Sequence, residues 1–369
     1  MLATTLAAIA VFLLGLTPPA GQARATEDAL DGVDTVILLT QGKEVFGKDS
    51  LKILHGSFNY LFSTPETKAE FEKNPGKYAI QVGGLCARMA GTVTGNPSNY
   101  VVHDGRIYIF ASDNCRALFL KTPEKYLPRP VAPLPADAAA QARGRALLDK
   151  AAAAHGGARL DAATSYQEAS TTVQKRPTGE VSITTRNMWQ FPGGARSERT
   201  IPLAAGPLTI VTLLTPAGAW GSANSGLSPF PASVVPAVEL NLGRQLLPIL
   251  RTRSDAALQI AALPAQAVAG VQMERVRIVH GGLDVTLNID PASGRVHSTS
   301  FVDRNEQGEV GDILILFENV RTIDGVLLPF SQKAMFNGAP NLALSRTLDT
   351  AALNATLDPK LFDPAGGGK

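Results

Sequence analysis

The stretch SVVPAVELNLGRQLLPILRT, Ser233 to Thr252, reads as an apolar helical segment set between segments that alternate as strands. Before it, EVSITTRNMWQF alternates Val181, Ile183 and Thr185 and brings Trp189 and Phe191 to the same face. After it, GLDVTLNID alternates Leu283, Val285, Leu287 and Ile289 against polar neighbours. A period of two places successive side chains on opposite faces of a sheet. DPASGR turns the chain into VHSTSFVDR, and GDILILFENV and GVLLPFSQKAMF are two more strands with Gly325 turning between them. Upstream, Asp137 can cap a helix that runs to about His155 and ends at Gly156-Gly157, with Ala140, Leu147, Ala151 and Ala154 on one side. The order is helix, meandering strands, helical insertion, more strands. It predicts an antiparallel half-barrel with a helical insertion over residues 137–364.

A curled sheet leaves an apolar interior. Trp189, Phe191, Trp220, Phe230, Leu246, Leu247, Ile249 and Leu250 are the candidates to line a ligand groove, with the helical segment 234–252 as its lid. Their alternative role is ordinary core. Six short stretches carry a resemblance here: AAAAHGGARLDA, NMWQFPGGARSE, GAWGS, NIDPASGRV, DGVLLPF and LNATLDPKLFDP. With these the region resembles the periplasmic lipoprotein carriers and outer-membrane lipoprotein-sorting proteins, the LolA-like family. The resemblance implies a non-enzymatic protein whose half-barrel holds a lipid, an acyl chain or the acyl part of a lipoprotein.

The N-terminal region carries an internal repeat. YLFSTPETKAEFEKNPGKY (Tyr60–Tyr78) and YIFASDNCRALFLKTPEKY (Tyr108–Tyr126) align Phe62, Phe71, Pro75, Lys77 and Tyr78 with Phe110, Phe119, Pro123, Lys125 and Tyr126. Each copy reads as a β-hairpin leading into a short helix, capped at Thr64-Pro65 and at Ser112-Asp113. One copy cannot bury its own apolar face, and two together can. The expected class is therefore α+β: a small duplicated domain over residues 28–127, a Pro-rich linker at 128–136, then the half-barrel. The segments LDGVDTVILLTQGKEVFG, FEKNPGKY and GGLCA resemble the exported branch of the YHS domain family. Metal-binding members of that superfamily carry paired cysteines at the helix start. Here Cys115 fills the second of those positions, Ala111 the first, and the first copy has Ser63 and Thr67.

GGLCARMAG, Gly83 to Gly91, contains one of only two cysteines in the chain. Cys86 and Cys115 leave three readings open. They form a disulfide, which would add about 3 kcal/mol in the chain-entropy model for a loop of about 30 residues. They join Met89 and His103 in a soft-metal site of the kind that suits Cu(I). Or they are two inert buried thiols. Four thiolate ligands for zinc are not available.

The remaining signals bound the function. The chain has 369 residues, 45% of them hydrophobic and 18% charged, with a net charge of +2. It can bury sizeable cores, and without a basic run it is no nucleic-acid binder. LAAIAVFLLGL followed by Ala23-Arg24-Ala25 reads as a signal peptide cleaved after Ala25, with an uncleaved anchor as the alternative because no Lys or Arg precedes the apolar run. The expected location is periplasmic or secreted, with an envelope protein as a further candidate partner. Residues 365–369 read as a disordered tail. H-E-x-x-H, G-x-S-x-G, a Walker loop and a dinucleotide fingerprint are absent, so the chain is expected not to be an enzyme.

Overall fold

The computed structural model describes residues 27–89, 93–176, 179–224 and 226–365. The expected signal peptide, and all but Ala365 of the expected tail, lie outside the described residues.

The N-terminal unit consists of two copies of one plan. In the first, β1 (Glu27–Asp28) leads into helix α1 (Thr35–Gln41), hairpin β2–β3 (Lys48–His55, Phe58–Phe62) and helices α2 (Pro65–Lys73) and α3 (Pro75–Tyr78). In the second, hairpin β4–β5 (Asn96–His103, Arg106–Phe110) leads into α4 (Asp113–Lys121) and a 3-10 turn at Pro123–Lys125. The Thr64 side chain accepts the Thr67 N–H and the Ser112 side chain accepts the Cys115 N–H, so both expected caps form. Phe71 packs among Tyr60 and Phe62; Phe119 packs among Tyr108 and Phe110. Ile107 and Ile109 of the second copy are buried in the core of the first, and Ile80 bridges to Ile107. The second copy thus covers an apolar face that the first leaves open, while its own core is built from residues 82–127.

Helix α5 (Ala138–Ala154) opens the larger unit, followed by the short α6 (Ala158–Asp161). Asp137 caps α5 by accepting the Ala139 and Ala140 N–H groups. The buried face of α5 is Gly144, Leu147, Leu148, Ala151 and Ala152, about one position around from the expected stripe. Gly144 sets that rotation. A β-carbon there would stand 2.8 Å from the Ala261 carbonyl carbon, so only glycine lets the helix press onto the sheet.

Thirteen antiparallel strands make up one sheet. They are β6 (Ser165–Arg176), β7 (Gly179–Gln190), β8 (Gly194–Ile201), β9 (Leu208–Thr215), β10 (Gly218–Ala223) and β11 (Ser228–Pro229), then β12 (Gln259–Val268), β13 (Val271–His280), β14 (Leu283–Ile289), β15 (Val296–Arg304), β16 (Val310–Ile323), β17 (Val326–Phe336) and β18 (Ala339–Leu353). Their order across the sheet is β11-β10-β9-β8-β7-β6-β18-β17-β16-β15-β14-β13-β12. The chain meanders from β6 outward to β11. It then crosses through the insertion to the far edge at β12 and meanders back until β18 pairs with β6. The insertion holds helices α7 (Val235–Gly243) and α8 (Leu246–Arg251).

The sheet is rolled, and α7 proves it. The helix packs against β8, β9 and β10 on one side and β14 on the other. β9 and β14 are eight steps apart in the strand order. In a flat sheet that is about 38 Å, and a helix with its side chains is only about 10–12 Å wide. The alternate residues Leu283, Val285, Leu287 and Ile289 all enter the interior, as their period of two predicts.

His155 ties the end of α5 to this sheet. Its Nδ1 pairs with the Leu327 carbonyl at 2.8 Å, and its Nε2 accepts the Val296 N–H at 3.0 Å. Burial holds the imidazole below its ordinary value of 6.5, against the opposing effect of the Leu327 carbonyl. The folded protein therefore binds fewer protons at this site than the unfolded chain. The stability it contributes is full above about pH 6.5 and is lost as the pH falls through the lowered folded value. Thermal melts of wild type should show that loss as the pH falls below about 6.5, and His155→Gln should show less of it while starting from a lower midpoint.

Candidate apolar binding site

The insertion is two helices where one was expected over 234–252. Pro248 has no N–H to give, and its ring would collide with the Arg244 carbonyl four residues earlier in a continuous helix. The chain breaks at that place: Gln245 is extended, with φ −72° and ψ 145°. The break turns α8 into the interior. Leu246, Leu247, Pro248, Ile249 and Leu250 are all buried, whereas α7 buries only Val238 and Leu242. A five-residue run that is apolar on every side has no solvent face to offer, which is why it sits inside the roll.

Polar contacts hold the insertion to strands spread across the sheet. The Trp189 indole N–H donates to the Leu242 carbonyl at 3.1 Å, and the Gly282 N–H donates to Glu239 at 2.6 Å. Arg244 pairs with Asp303 at 3.0 Å and lies over the Phe301 ring. Arg251 donates to the Leu160 and Asp161 carbonyls and lies over Phe191, 4.3 Å from the ring centroid. Arg346 donates through one arm to the Gln245 side chain and through the other to Glu168 at 2.6 Å.

Glu168 is the centre of a buried network. Its carboxylate also accepts the Tyr166 hydroxyl at 2.6 Å and the Asn187 amide at 2.9 Å. Tyr166 stacks on Trp189, with ring centroids 5.1 Å apart. Burial first, and the Glu168 charge second, push the Tyr166 hydroxyl well above its ordinary range. Burial pulls the Arg244 guanidinium down, and Asp303 opposes that shift. The interior is thus packed with apolar side chains, with a compensated charged cluster at the point where the insertion bends.

The expected groove residues are mostly gathered. Trp189, Leu246, Leu247, Ile249 and Leu250 share one buried cluster, and Phe191 and Phe230 pack against it. Trp220 does not join them. Ala219 points inward, so Trp220, its neighbour in β10, lies on the outer face. Tyr166, Glu168, Gln245 and Arg346 were not singled out in the sequence. The available signal was a charged residue at an inward position in each of two strands, Glu168 in SYQEAS and Arg346 in NLALSRTLD.

Of the soft-metal candidates, Cys86, Cys115 and Met89 share one apolar cluster. Cys86 and Cys115 are both buried free thiols. Met89 packs beside them, but its sulfur takes the Arg88 guanidinium at 3.0 Å. His103 is turned to Asp104 and sits edge-on to Phe119, as His55 sits edge-on to Phe71 in the first copy. It is a repeated packing position. Among the described residues no three His, Cys, Asp or Glu side chains converge on one point. A surface hollow of about 430 Å³ on the N-terminal unit is lined by Glu27, Asp28, Asp31, Asn96 and Pro97, and its three carboxylates suit no acyl chain.

No family model and no curated protein matches the chain. Solved structures give loose overlaps. An outer-membrane lipoprotein-sorting protein domain from Vibrio parahaemolyticus covers 61% of this chain and 98% of its own, at 9% identity and a TM-score of 0.35. A LolA superfamily protein from Nitrosomonas europaea covers 59% and 96%, at 14% identity and 0.39. A DUF1329 family protein from Desulfovibrio piger covers 60% and 97%, at 11% identity and 0.34. Likeness at this level assigns neither a family nor a ligand.

The Glu168 network gives a direct test. Arg346→Met should cost about 3–5 kcal/mol in urea unfolding, because it leaves a carboxylate buried without its cation. Arg346→Met with Glu168→Gln should recover part of that loss.

Proposed function

We propose that this protein is an exported, non-enzymatic carrier that binds an acyl chain or similar apolar ligand inside the rolled sheet. The observation that carries the reading is α8. An all-apolar segment, Leu246–Leu250, occupies the interior and is linked to the sheet on either side by polar contacts that can open without breaking the strand order. Such a segment holds the place of a ligand until one arrives. The YHS-like reading of residues 28–127 makes that unit an accessory module resting on the half-barrel. Their contact includes Lys125 with Glu309 and Arg304 with the Arg88 and Tyr126 carbonyls, and Arg129 of the linker adds a pair with Asp312.

Magnitudes set the ligand class. Burying four aliphatic side chains such as Leu246, Leu247, Ile249 and Leu250 is worth roughly 6–12 kcal/mol. A ligand that displaces them must return that burial. At about 0.8 kcal/mol per methylene, this takes about a dozen methylenes. Short-chain acids should not enter, and long-chain ones should.

The filled interior supports a second reading, a structural envelope module whose insertion never leaves. Competition against a fluorescent long-chain fatty acid, across acids of roughly eight to eighteen carbons, separates the two. The carrier reading expects binding that begins near twelve carbons and tightens in Trp189→Phe, which loses the indole contact to Leu242. No binding by either protein at any chain length would overturn the carrier and favour the structural module.

A further inference from the structure

The two copies of the N-terminal unit carry the same clasp, built from different chemistry. In the first copy a 3-10 turn, Ala29–Gly32, places Leu30, Asp31 and Gly32 at positive φ. In the second, Gln81–Gly84 does the same with Val82, Gly83 and Gly84. Val33 then bridges to Phe46, and Leu85 to Thr94. The next residue is Asp34 in one copy and Cys86 in the other. Their N–H groups donate to Val45 and Val93, both at 2.8 Å. Asp34 and Cys86 are therefore the same position.

The partners correspond too. The Asp34 carboxylate accepts the Ile37 N–H at 3.2 Å, the Ser63 N–H at 2.8 Å and the Thr67 hydroxyl at 2.7 Å. The Cys86 sulfur receives the N–H groups of Met89 and Ala111 and makes its side-chain bond to Cys115. Ala111 and Cys115 stand where Ser63 and Thr67 stand in the repeat. So the backbone frame that holds a carboxylate against a hydroxyl in the first copy holds one sulfur against another in the second. The frame points donors at an anion in both. Cys115 adds the Ser112 hydroxyl and the Arg88 guanidinium to the donor set.

We propose that Cys86 and Cys115 form a redox-responsive clasp, a dithiol that a peroxide closes to a disulfide where the first copy has a fixed carboxylate–hydroxyl clasp. The balance is simple. The Cys115 thiolate attacks one peroxide oxygen, the O–O bond breaks, and an alkoxide or hydroxide leaves and takes up a proton. The Cys86 thiol then displaces water from the resulting sulfenic acid, and the S–S bond forms. The two sulfurs together give up two electrons, and the peroxide is reduced to an alcohol and water. The neighbouring thiol is the largest cause in both directions: with Ser112 and Arg88 it pulls the Cys115 thiol down to about 5, and with burial it pushes the Cys86 thiol far above the ordinary range.

The clasp lies where the two units meet. The Arg88 carbonyl, two residues beyond Cys86, accepts Arg304 of β15 at 3.1 Å, and Gly308 approaches that carbonyl so closely that a β-carbon there would be 2.2 Å away. The Gln81–Gly84 turn packs against Ala232–Val234, where the insertion begins, and Leu85 is buried in the half-barrel's core. Closing the disulfide ties this shelf to α4 by a covalent bond.

The test is peroxide treatment of the folded, full-length protein, followed by alkylation, intact mass and thermal melting. Wild type should lose two hydrogens and both alkylatable thiols, and its midpoint should rise by several degrees. Cys86→Asp with Cys115→Thr copies the first clasp and should fold and melt alike with or without peroxide. Retention of two alkylatable thiols in treated wild type, a gain of oxygens in place of a loss of hydrogens, or an unchanged midpoint would overturn the proposal. So would a peroxide-dependent shift of the same size in the double variant. The wild-type thiol count decides the matter even if that variant does not fold.

Discussion

The burial of Leu246–Leu250 inside the rolled sheet is the constraint on which the larger unit depends. The sheet must curl because one helix pair touches strands eight steps apart, and the pair sits inside because α8 has no polar side. The estimated worth of that burial, roughly 6–12 kcal/mol, matches the whole net stability of a typical domain, about 5–15 kcal/mol. An insertion seated this firmly does not flap open on its own. On the carrier reading proposed above, it would leave only in exchange for something that buries as much apolar surface.

The polar contacts have a different task. Trp189 with Leu242, Arg346 with Gln245 and Arg244 with Asp303 each contribute little to net stability compared with the buried side chains. They fix where the chain bends and which turn of the insertion meets which strand. The bend at Arg244–Gln245, imposed by Pro248, brings Arg244 close enough to Arg346 of β18 for the two charges to oppose each other. Pro248 thus sets both the path of the backbone and the position of the charges.

Much of the architecture was legible. The strand alternation in GLDVTLNID, the Asp137 cap, the repeated Phe/Pro/Tyr spacing and the apolar insertion were all recovered as elements. Sequence patterns failed where a single residue's effect depends on what lies across from it. Gly144 rotates α5 because Ala261 is opposite, which no periodicity records. Trp220 looked like groove lining, but its parity within β10 depends on where that strand begins. His103 packs onto Phe119 and the Met89 sulfur faces the Arg88 guanidinium, contacts that no spacing in the sequence records. The correspondence of Asp34 with Cys86 was hidden because the offset between the copies is 52 residues at Asp34 and 48 from Val45 onward. Only the shared run of positive φ angles reveals it.

Hydrogen exchange of the amides in Val235–Arg251, followed with and without a saturating long-chain fatty acid, tests the central claim most directly. If the insertion trades places with the ligand, exchange in this segment should rise by orders of magnitude on binding, while the amides of the N-terminal unit stay as they were. A bound ligand with unchanged exchange in Val235–Arg251 would mean that the insertion is permanent core and that the ligand sits elsewhere.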